Sequence, residues 1–301
     1  MITHQLALVR RELWEHRSIF VTPAAVALIL VLVVITLYVA ASGFGEMTDI
    51  GIITAQNVGE MERRAALMAF LVGNAAVFIF AAGVLTIFYC LDCLYAERKN
   101  KSILFWRSLP ITDAETIISK FLTAAVAIPL VTLAAIIVTH LLILIITSIF
   151  VIIEGGSPGH LIWGAVPLFD VWMTMLILLL AAPLWFSPFI GWFLFVSAWT
   201  KRSPLLTAFL PLVILPMLEY FVLRTHLISD AIETRFTSLR GINLAAFDED
   251  NIKDMTVDSV SLLAHIDLLS FLTSPGLWIG LIVCGLFSTA AIYVRRYRDD
   301  S

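Results

Sequence analysis

Charged residues are scarce in this sequence, and their scarcity excludes a water-soluble globular protein. Lys, Arg, Asp and Glu make up 14% of the 301 residues, whereas hydrophobic residues make up 60% and the mean hydropathy is +0.97. Soluble domains carry about 25% charged residues, and they have no interior large enough for so much apolar surface. We therefore expect a protein whose mass lies in or against a lipid bilayer.

Cysteine is equally scarce, which argues against a disulfide framework or a metal site. Cys90 and Cys93 form a single C-x-x-C pair at the end of an apolar run, and no second pair or histidine cluster accompanies them. Cys284 lies within the last apolar run. Packing thiols are the favoured interpretation of all three, and no metal site is predicted.

What the sequence has in abundance is long apolar runs. Six of them reach the roughly 20 residues that a helix needs to cross the hydrocarbon core, and they occupy residues 20–41, 67–91, 117–153, 171–199, 205–223 and 277–294. None shows the alternation of barrel strands. The prediction is an all-α, polytopic membrane protein with six transmembrane helices that form a single transmembrane domain over residues 1–301.

The fourth run is longer than a span requires, and so is the third. Pro183 and Pro188 lie within the fourth run, where each removes a backbone hydrogen bond and favours a kink. We expect this segment to tilt, bend or extend beyond the headgroups.

The distribution of basic residues predicts the orientation. Most of the 19 Lys and Arg residues fall on one side if the N-terminus is placed in the cytoplasm, as the positive-inside rule requires. Six spans then leave both termini cytoplasmic. The expected location is the inner (plasma) membrane of the cell, as a multi-pass protein in contact with membrane lipids.

Residues 2–17 form an amphipathic pattern before the first run. Ile2, Leu6, Val9 and Leu13 recur at helical spacing, which is typical of a helix in the membrane interface. Two interpretations stay open: an anchor that orients the first span, or a docking helix that contacts a cytoplasmic partner.

The predicted cytoplasmic connection between the second and third spans is unusual because it is partly apolar. Residues 103–106, Ile-Leu-Phe-Trp, follow a charged run, and Thr112 with Glu115 forms a T-x-x-E capping box that predicts a new helix beyond Pro110. We interpret residues 95–110 as a short helix whose apolar cluster packs against a partner. A membrane-surface anchor is the alternative.

This segment resembles the cytoplasmic signature of permeases of the ABC type 2 exporter family. The matching positions are Glu97, Arg98, Ser102, Ile103, Leu104, Leu109, Pro110, Thr112 and Lys120. Many members have a glycine where this sequence has Asn100 and Lys101.

The resemblance implies that residues 95–110 are a coupling helix resting on an ABC ATPase subunit. The residues expected to couple to the ATPase are Glu97, Arg98, Ile103, Leu104, Phe105, Trp106, Leu109 and Pro110. It also implies a second permease copy or paralogue, with ATP and Mg bound by the ATPase subunit and no cofactor in this chain. No nucleic acid is expected as a partner.

The sequence contains no nucleotide-binding motif of the form G-x-x-x-x-G-K-[ST]. Any ATP hydrolysis is therefore expected in another chain, and this chain is not expected to be an enzyme. The alternative is an intramembrane enzyme that uses His140, His160 or His265 with Glu154 or Asp170, but no H-E-x-x-H or G-x-S-x-G motif occurs. A non-transporting membrane scaffold is a further alternative.

Polar residues inside the predicted spans mark a candidate translocation path, because burial in lipid is costly for them. The candidates are Asn74, Thr86, His140 and Glu219, each of which would also suit a hydrogen bond between helices. Residues 224–273 are predicted to be an external loop. The resemblance implies helices there that dip back into the outer leaflet.

Overall fold

The computed structural model describes residues 2–42, 59–102, 111–237 and 261–297, and every regular element in these ranges is a helix. The α-helices are α1 Ile2–Glu15, α2 Ser18–Ser42, α3 Glu60–Lys99, α4 Asp113–Leu122, α5 Ile128–Ile153, α6 Leu168–Trp185, α7 Ser187–Trp199, α8 Pro204–Leu223, α9 Leu227–Thr237, α10 Leu268–Thr273 and α11 Pro275–Tyr297. Two π-helical turns, Thr123–Ala127 and Gly159–Trp163, and a 3₁₀ turn, Leu262–His265, complete the set.

Within the described ranges, six helices are long and apolar enough to cross a membrane, so the predicted all-α polytopic fold is confirmed. They are Ser18–Ala40, Glu60–Lys99, Asp113–Ile153, Leu168–Trp185, Pro204–Leu223 and Pro275–Tyr297. At 40 residues, α3 is about 60 Å long, roughly twice the thickness of a hydrocarbon core. It must therefore tilt strongly or extend beyond the membrane.

The long third span is one continuous helix with a π-helical turn in its N-terminal half. The backbone N–H of Ile128 donates to the carbonyl of Thr123 instead of the carbonyl four residues earlier. Pro129 follows directly and has no N–H to offer the carbonyl of Ala125. The π turn accommodates this missing bond without ending the helix.

The segment predicted as a fourth span over 171–199 is divided into α6 and α7 at Phe186. Pro188 occupies the first turn of α7, where its missing N–H costs nothing. Pro183 stays inside α6. One proline of the pair thus ends a helix and restarts the next, as the kink prediction allowed.

Helix α7 lies between α3 and α11 in the centre of the bundle. A side-chain carbon at Gly191 of α7 would lie 2.9 Å from the Cα of Cys284 in α11, so only glycine permits this approach. Helix α8, in contrast, buries only Ala208 and Glu219 against the rest of the chain. Most of its remaining apolar surface faces outward, although Leu212 and Phe209 contact the core.

Two ends of the bundle can be distinguished. Helix α1, the beginning of α4 and the last turns of α3, α7 and α11 meet at one end, which we call the termini end. Toward the opposite end, Trp185 at the end of α6 contacts α9 and α10, and Asp170 at the start of α6 contacts the 3₁₀ turn. Residues 238–260, which include the acidic part of the predicted external loop, are outside the described residues.

Candidate functional site

Charged side chains from four helices meet at the termini end. We call this group the charge cluster. It contains Arg11 and Glu12 of α1, Glu97 of α3, Asp113 and Lys120 of α4, and Arg295 of α11. Glu12 and Lys120 are fully buried, and Glu97 and Arg295 are 2% and 6% exposed. Charges so deeply buried persist only when they are paired.

Lys120 lies at the centre of the cluster between two carboxylates. Its Nζ is 3.0 Å from both carboxylate oxygens of Glu12 and 2.9 Å from Oε1 of Glu97. The Tyr89 hydroxyl donates to Oε2 of Glu12 at 2.9 Å. Three helices are thereby joined through one ammonium group.

Arginines complete the pairing of these carboxylates. Arg11 Nη2 lies 2.8 Å from Glu12 and 3.0 Å from Glu97. Arg295 donates to Glu97 Oε2 at 2.6 Å through Nη1 and to Asp113 Oδ1 at 2.7 Å through Nε. Three basic and three acidic residues thus form the buried centre of the network, and Arg11 Nε also lies 3.6 Å from Glu15 Oε2. The pairing offsets much of the desolvation cost.

Arg98 fixes the end of α3 to the end of α7. Its Nη2 donates to the backbone carbonyls of Ser197 and Thr200, which lie at a helix C-terminus where a cation is favourable. The Ser197 hydroxyl donates to the carbonyl of Leu91 at 2.7 Å and accepts the backbone N–H of Tyr95 at 3.0 Å. The last two turns of α3 are therefore held rigidly against α7.

The capping box predicted at the start of the third span is confirmed. The backbone N–H of Glu115 donates to Thr112 Oγ1 at 3.2 Å, and the backbone N–H of Thr112 donates to Glu115 Oε2 at 2.9 Å. This reciprocal pair begins α4 at Asp113. Asp113, in the first turn, is thereby placed against Arg295.

Most of the predicted coupling residues, Ile103, Leu104, Phe105, Trp106, Leu109 and Pro110, lie outside the described residues. Glu97 and Arg98, the first two, are described and belong to the network at the termini end. The segment 103–110 is flanked by Glu97 before it and Asp113 after it, and Arg295 pairs with both.

The predicted translocation residues are spread over the bundle and each has a hydrogen-bond partner. Asn74 and Thr86 donate to carbonyls one turn back in α3, those of Phe70 and Ala82. Bonds of this type satisfy a polar group within its own helix. Their lining of a path stays a prediction.

His140 and Glu219 make contacts between elements. His140 is fully buried; its Nε2 lies 3.1 Å from the carbonyl of Leu71, and Trp172 Nε1 donates to its Nδ1 at 3.3 Å. Glu219 accepts the backbone N–H groups of Leu227 and Ile228 at 2.7 and 2.8 Å, which caps the start of α9.

Most of the residues considered for an enzyme also have other partners. Asp170 accepts the Ser261 hydroxyl at 2.8 Å and the backbone N–H of Leu262 at 2.8 Å, so it holds the 3₁₀ turn against α6. His265 faces the carbonyl of Ser261, and exposed His160 lies 3.9 Å from Glu60. Within the four described ranges, no three metal-ligating side chains come together.

Sequence reasoning did not identify Glu12, Arg295 or Asp113 as site residues, and it used Lys120 only as a signature position. A signal was present, since Lys120 lies inside an apolar run and a charge there requires an acidic partner. The sequence offered no way to choose that partner among distant carboxylates.

Comparison with protein families gives a match to a model described as an ABC-2 family transporter protein, over residues 65–247. The matched region extends from α3 beyond α9 and covers more than half of the chain. It includes Glu97, Lys120 and the whole of segment 103–110. Comparisons with curated proteins and with solved structures give no match.

Proposed function

The chain belongs to the ABC-2 family of transporter proteins, and from that premise we propose that it is the permease subunit of an ATP-driven exporter. ATP and Mg bind to a separate ABC ATPase subunit, which carries out hydrolysis. A second permease copy or paralogue completes the pathway. Both termini face the cytoplasm of a cell whose plasma membrane holds the complex.

One observation carries the coupling part of this proposal: Arg295 pairs with Glu97 at 2.6 Å and with Asp113 at 2.7 Å. In the sequence, one of these carboxylates precedes segment 103–110 and the other follows it. Arg295 therefore connects the two flanks of the segment to each other and to α11. A force applied to the segment would then move α3, α4 and α11 together instead of bending the chain at the segment's flanks.

The neighbouring contacts direct that force into the bundle. Lys120 connects the base to α1 through Glu12, and Arg98 connects it to α7. Rigid elements that share buried ion pairs move together. The π turn Thr123–Ala127 begins one helical turn after Lys120 in the chain, and such turns are common at functional sites. We propose it as the point where the third span bends.

The first experiment tests the partner. The chain is purified in detergent, co-purifying proteins are identified by mass spectrometry, and the same is done for L104E/F105E. We expect an ATPase with nucleotide-binding motifs to accompany the wild type and to be lost from the variant. L269E, a charge substitution at a 74% exposed apolar position of the opposite end, is the control and keeps the ATPase. Equal recovery of the ATPase with both variants would refute the assigned docking segment.

The second experiment tests the brace. R295Q leaves Glu97 and Asp113 without their common partner, whereas R296Q changes an exposed neighbour on the same helix. We expect R295Q to retain the ATPase subunit but to change ATP turnover by the reconstituted complex severalfold, and R296Q to leave turnover unaltered. Identical turnover in R295Q and wild type would show that the brace does not transmit movement.

A further inference from the structure

A groove of about 610 Å³ lies between the beginning of α2 and the second half of α3. Its lining divides into two parts. His16, Ser18 and Asp92 form a polar end near the charge cluster, and Phe80, Val84 and Phe88 form an apolar wall along α3. We call it the α2–α3 groove. Two of its lining residues border the charge cluster: the Tyr89 hydroxyl donates to Glu12, and His16 Nε2 lies 3.8 Å from Glu12 Oε2.

The dimensions of the groove correspond to one leaflet of a bilayer. Phe80 and Asp92 are twelve residues apart on a continuous helix, which places them about 18 Å apart along its axis. Half of a hydrocarbon core is about 15 Å thick. The polar end therefore lies at headgroup level when the wall lies among acyl chains.

The wall is open at the surface of the chain. Phe80 is 75% exposed and Phe88 is 55% exposed, and Val84 lies between them at 38%. An apolar concave surface of this kind is suited to an apolar chain. The groove's volume is within the usual range for small-ligand sites, and Asp92, the carboxylate in its described lining, lies at one end.

The charge at the polar end favours one type of headgroup. Asp92 is exposed and carries the carboxylate of the groove; among the described lining residues there is no lysine or arginine. The His16 ring is held edge-on to Tyr89, with centroids 4.9 Å apart, and the Ser18 hydroxyl is exposed beside it. A carboxylate next to hydroxyl and imidazole N–H donors complements an ammonium linked to a phosphate, and the carboxylate disfavours a headgroup with net negative charge.

We propose that the α2–α3 groove binds one phospholipid with an ammonium headgroup, of the phosphatidylethanolamine class. The ammonium lies against Asp92, the phosphate accepts hydrogen bonds from Ser18 and His16, and one acyl chain follows the wall from Phe88 to Phe80. This lipid site goes beyond the proposed transport function, since it requires neither an ATPase nor a cargo.

Native mass spectrometry of the purified chain, titrated with dioleoylphosphatidylethanolamine or dioleoylphosphatidylglycerol, tests the proposal. We expect the wild type to retain the ethanolamine lipid several times more strongly than the glycerol lipid. D92N should reduce that preference about threefold to tenfold, in keeping with a partly exposed ion pair, and D92E should restore it. V84W should abolish retention of both lipids by filling the groove, whereas V138W, at an exposed position of α5, should not.

Equal retention of the two lipids, or unchanged retention in either D92N or V84W, would overturn the proposal. So would a dimer of this chain that forms in the wild type without lipid and is lost in V84W, because a second copy would then occupy the groove. Thermal unfolding of V84W in detergent shows whether it is folded. If V84W unfolds during purification, V84F replaces it under the same criteria.

Discussion

Replacing Lys120 with methionine tests the charge cluster most directly, because it removes the central charge and keeps a side chain of similar length. The Lys120 ammonium lies 2.9–3.0 Å from carboxylate oxygens of Glu12 and Glu97. At an effective dielectric constant of about 20, each pair is worth about 5–6 kcal/mol. Desolvation of the lysine cancels much of this sum, and Arg11 and Arg295 remain on the carboxylates. We expect K120M to lower the free energy of unfolding by about 3 kcal/mol.

The chain contains its own probe for this measurement. Cys90, Cys93 and Cys284 are free and buried, so a thiol-reactive fluorophore reports their exposure during heating in detergent. A loss of about 3 kcal/mol corresponds to a decrease of roughly 6–12 °C in the midpoint. K201M, at an exposed lysine, is the matched control and should unfold with the wild type.

A double substitution shows whether the loss comes from the ion pair. In K120M/E12Q both partners are neutral, so no uncompensated charge remains at this position, and we expect the double variant to unfold at a higher temperature than K120M. If the stability loss of K120M/E12Q equalled the sum of the losses of K120M and E12Q, Glu12 and Lys120 would not interact. A K120M midpoint equal to that of K201M would refute the reasoning altogether.

Three further predictions concern packing and capping. G191A should lower the unfolding midpoint by several degrees, because the new methyl group meets the Cys284 backbone at a cost of about 1–3 kcal/mol. G285A, with open space around it, is the control and should not lower the midpoint. Equal midpoints for the two variants would refute the close approach. E219Q should speed amide hydrogen exchange in the first turn of α9, since a neutral amide caps more weakly than a carboxylate; unaltered exchange there would exclude the cap. R235Q should release α9 because it removes two bonds to backbone carbonyls, and limited proteolysis near α9 at the wild-type rate would contradict this.

The spans could be predicted because each depends on local composition. A run of some 20 apolar residues is stable in hydrocarbon only as a helix, whatever its neighbours are. The capping box at Thr112 and Glu115 is also local, since its donors and acceptors are three residues apart. The family signature around Glu97 and Lys120 could be recognised for the same reason.

The division of the fourth run shows where local reasoning stops. Pro183 and Pro188 are both capable of interrupting a helix, yet only the second marks the break between α6 and α7. The break places Gly191 of α7 against Cys284 of α11. That contact depends on a helix nearly a hundred residues away, which no local pattern encodes.

The sequence by itself determined that this chain forms membrane-spanning helices, where most of them lie, and that a charged and apolar segment joins two of them. Only the tertiary structure decided that Glu12, Glu97, Lys120 and Arg295 share one buried network. The physical reason is that hydrophobic length acts within a segment, whereas a buried charge is stabilised by whichever opposite charge the fold brings within about 3 Å of it.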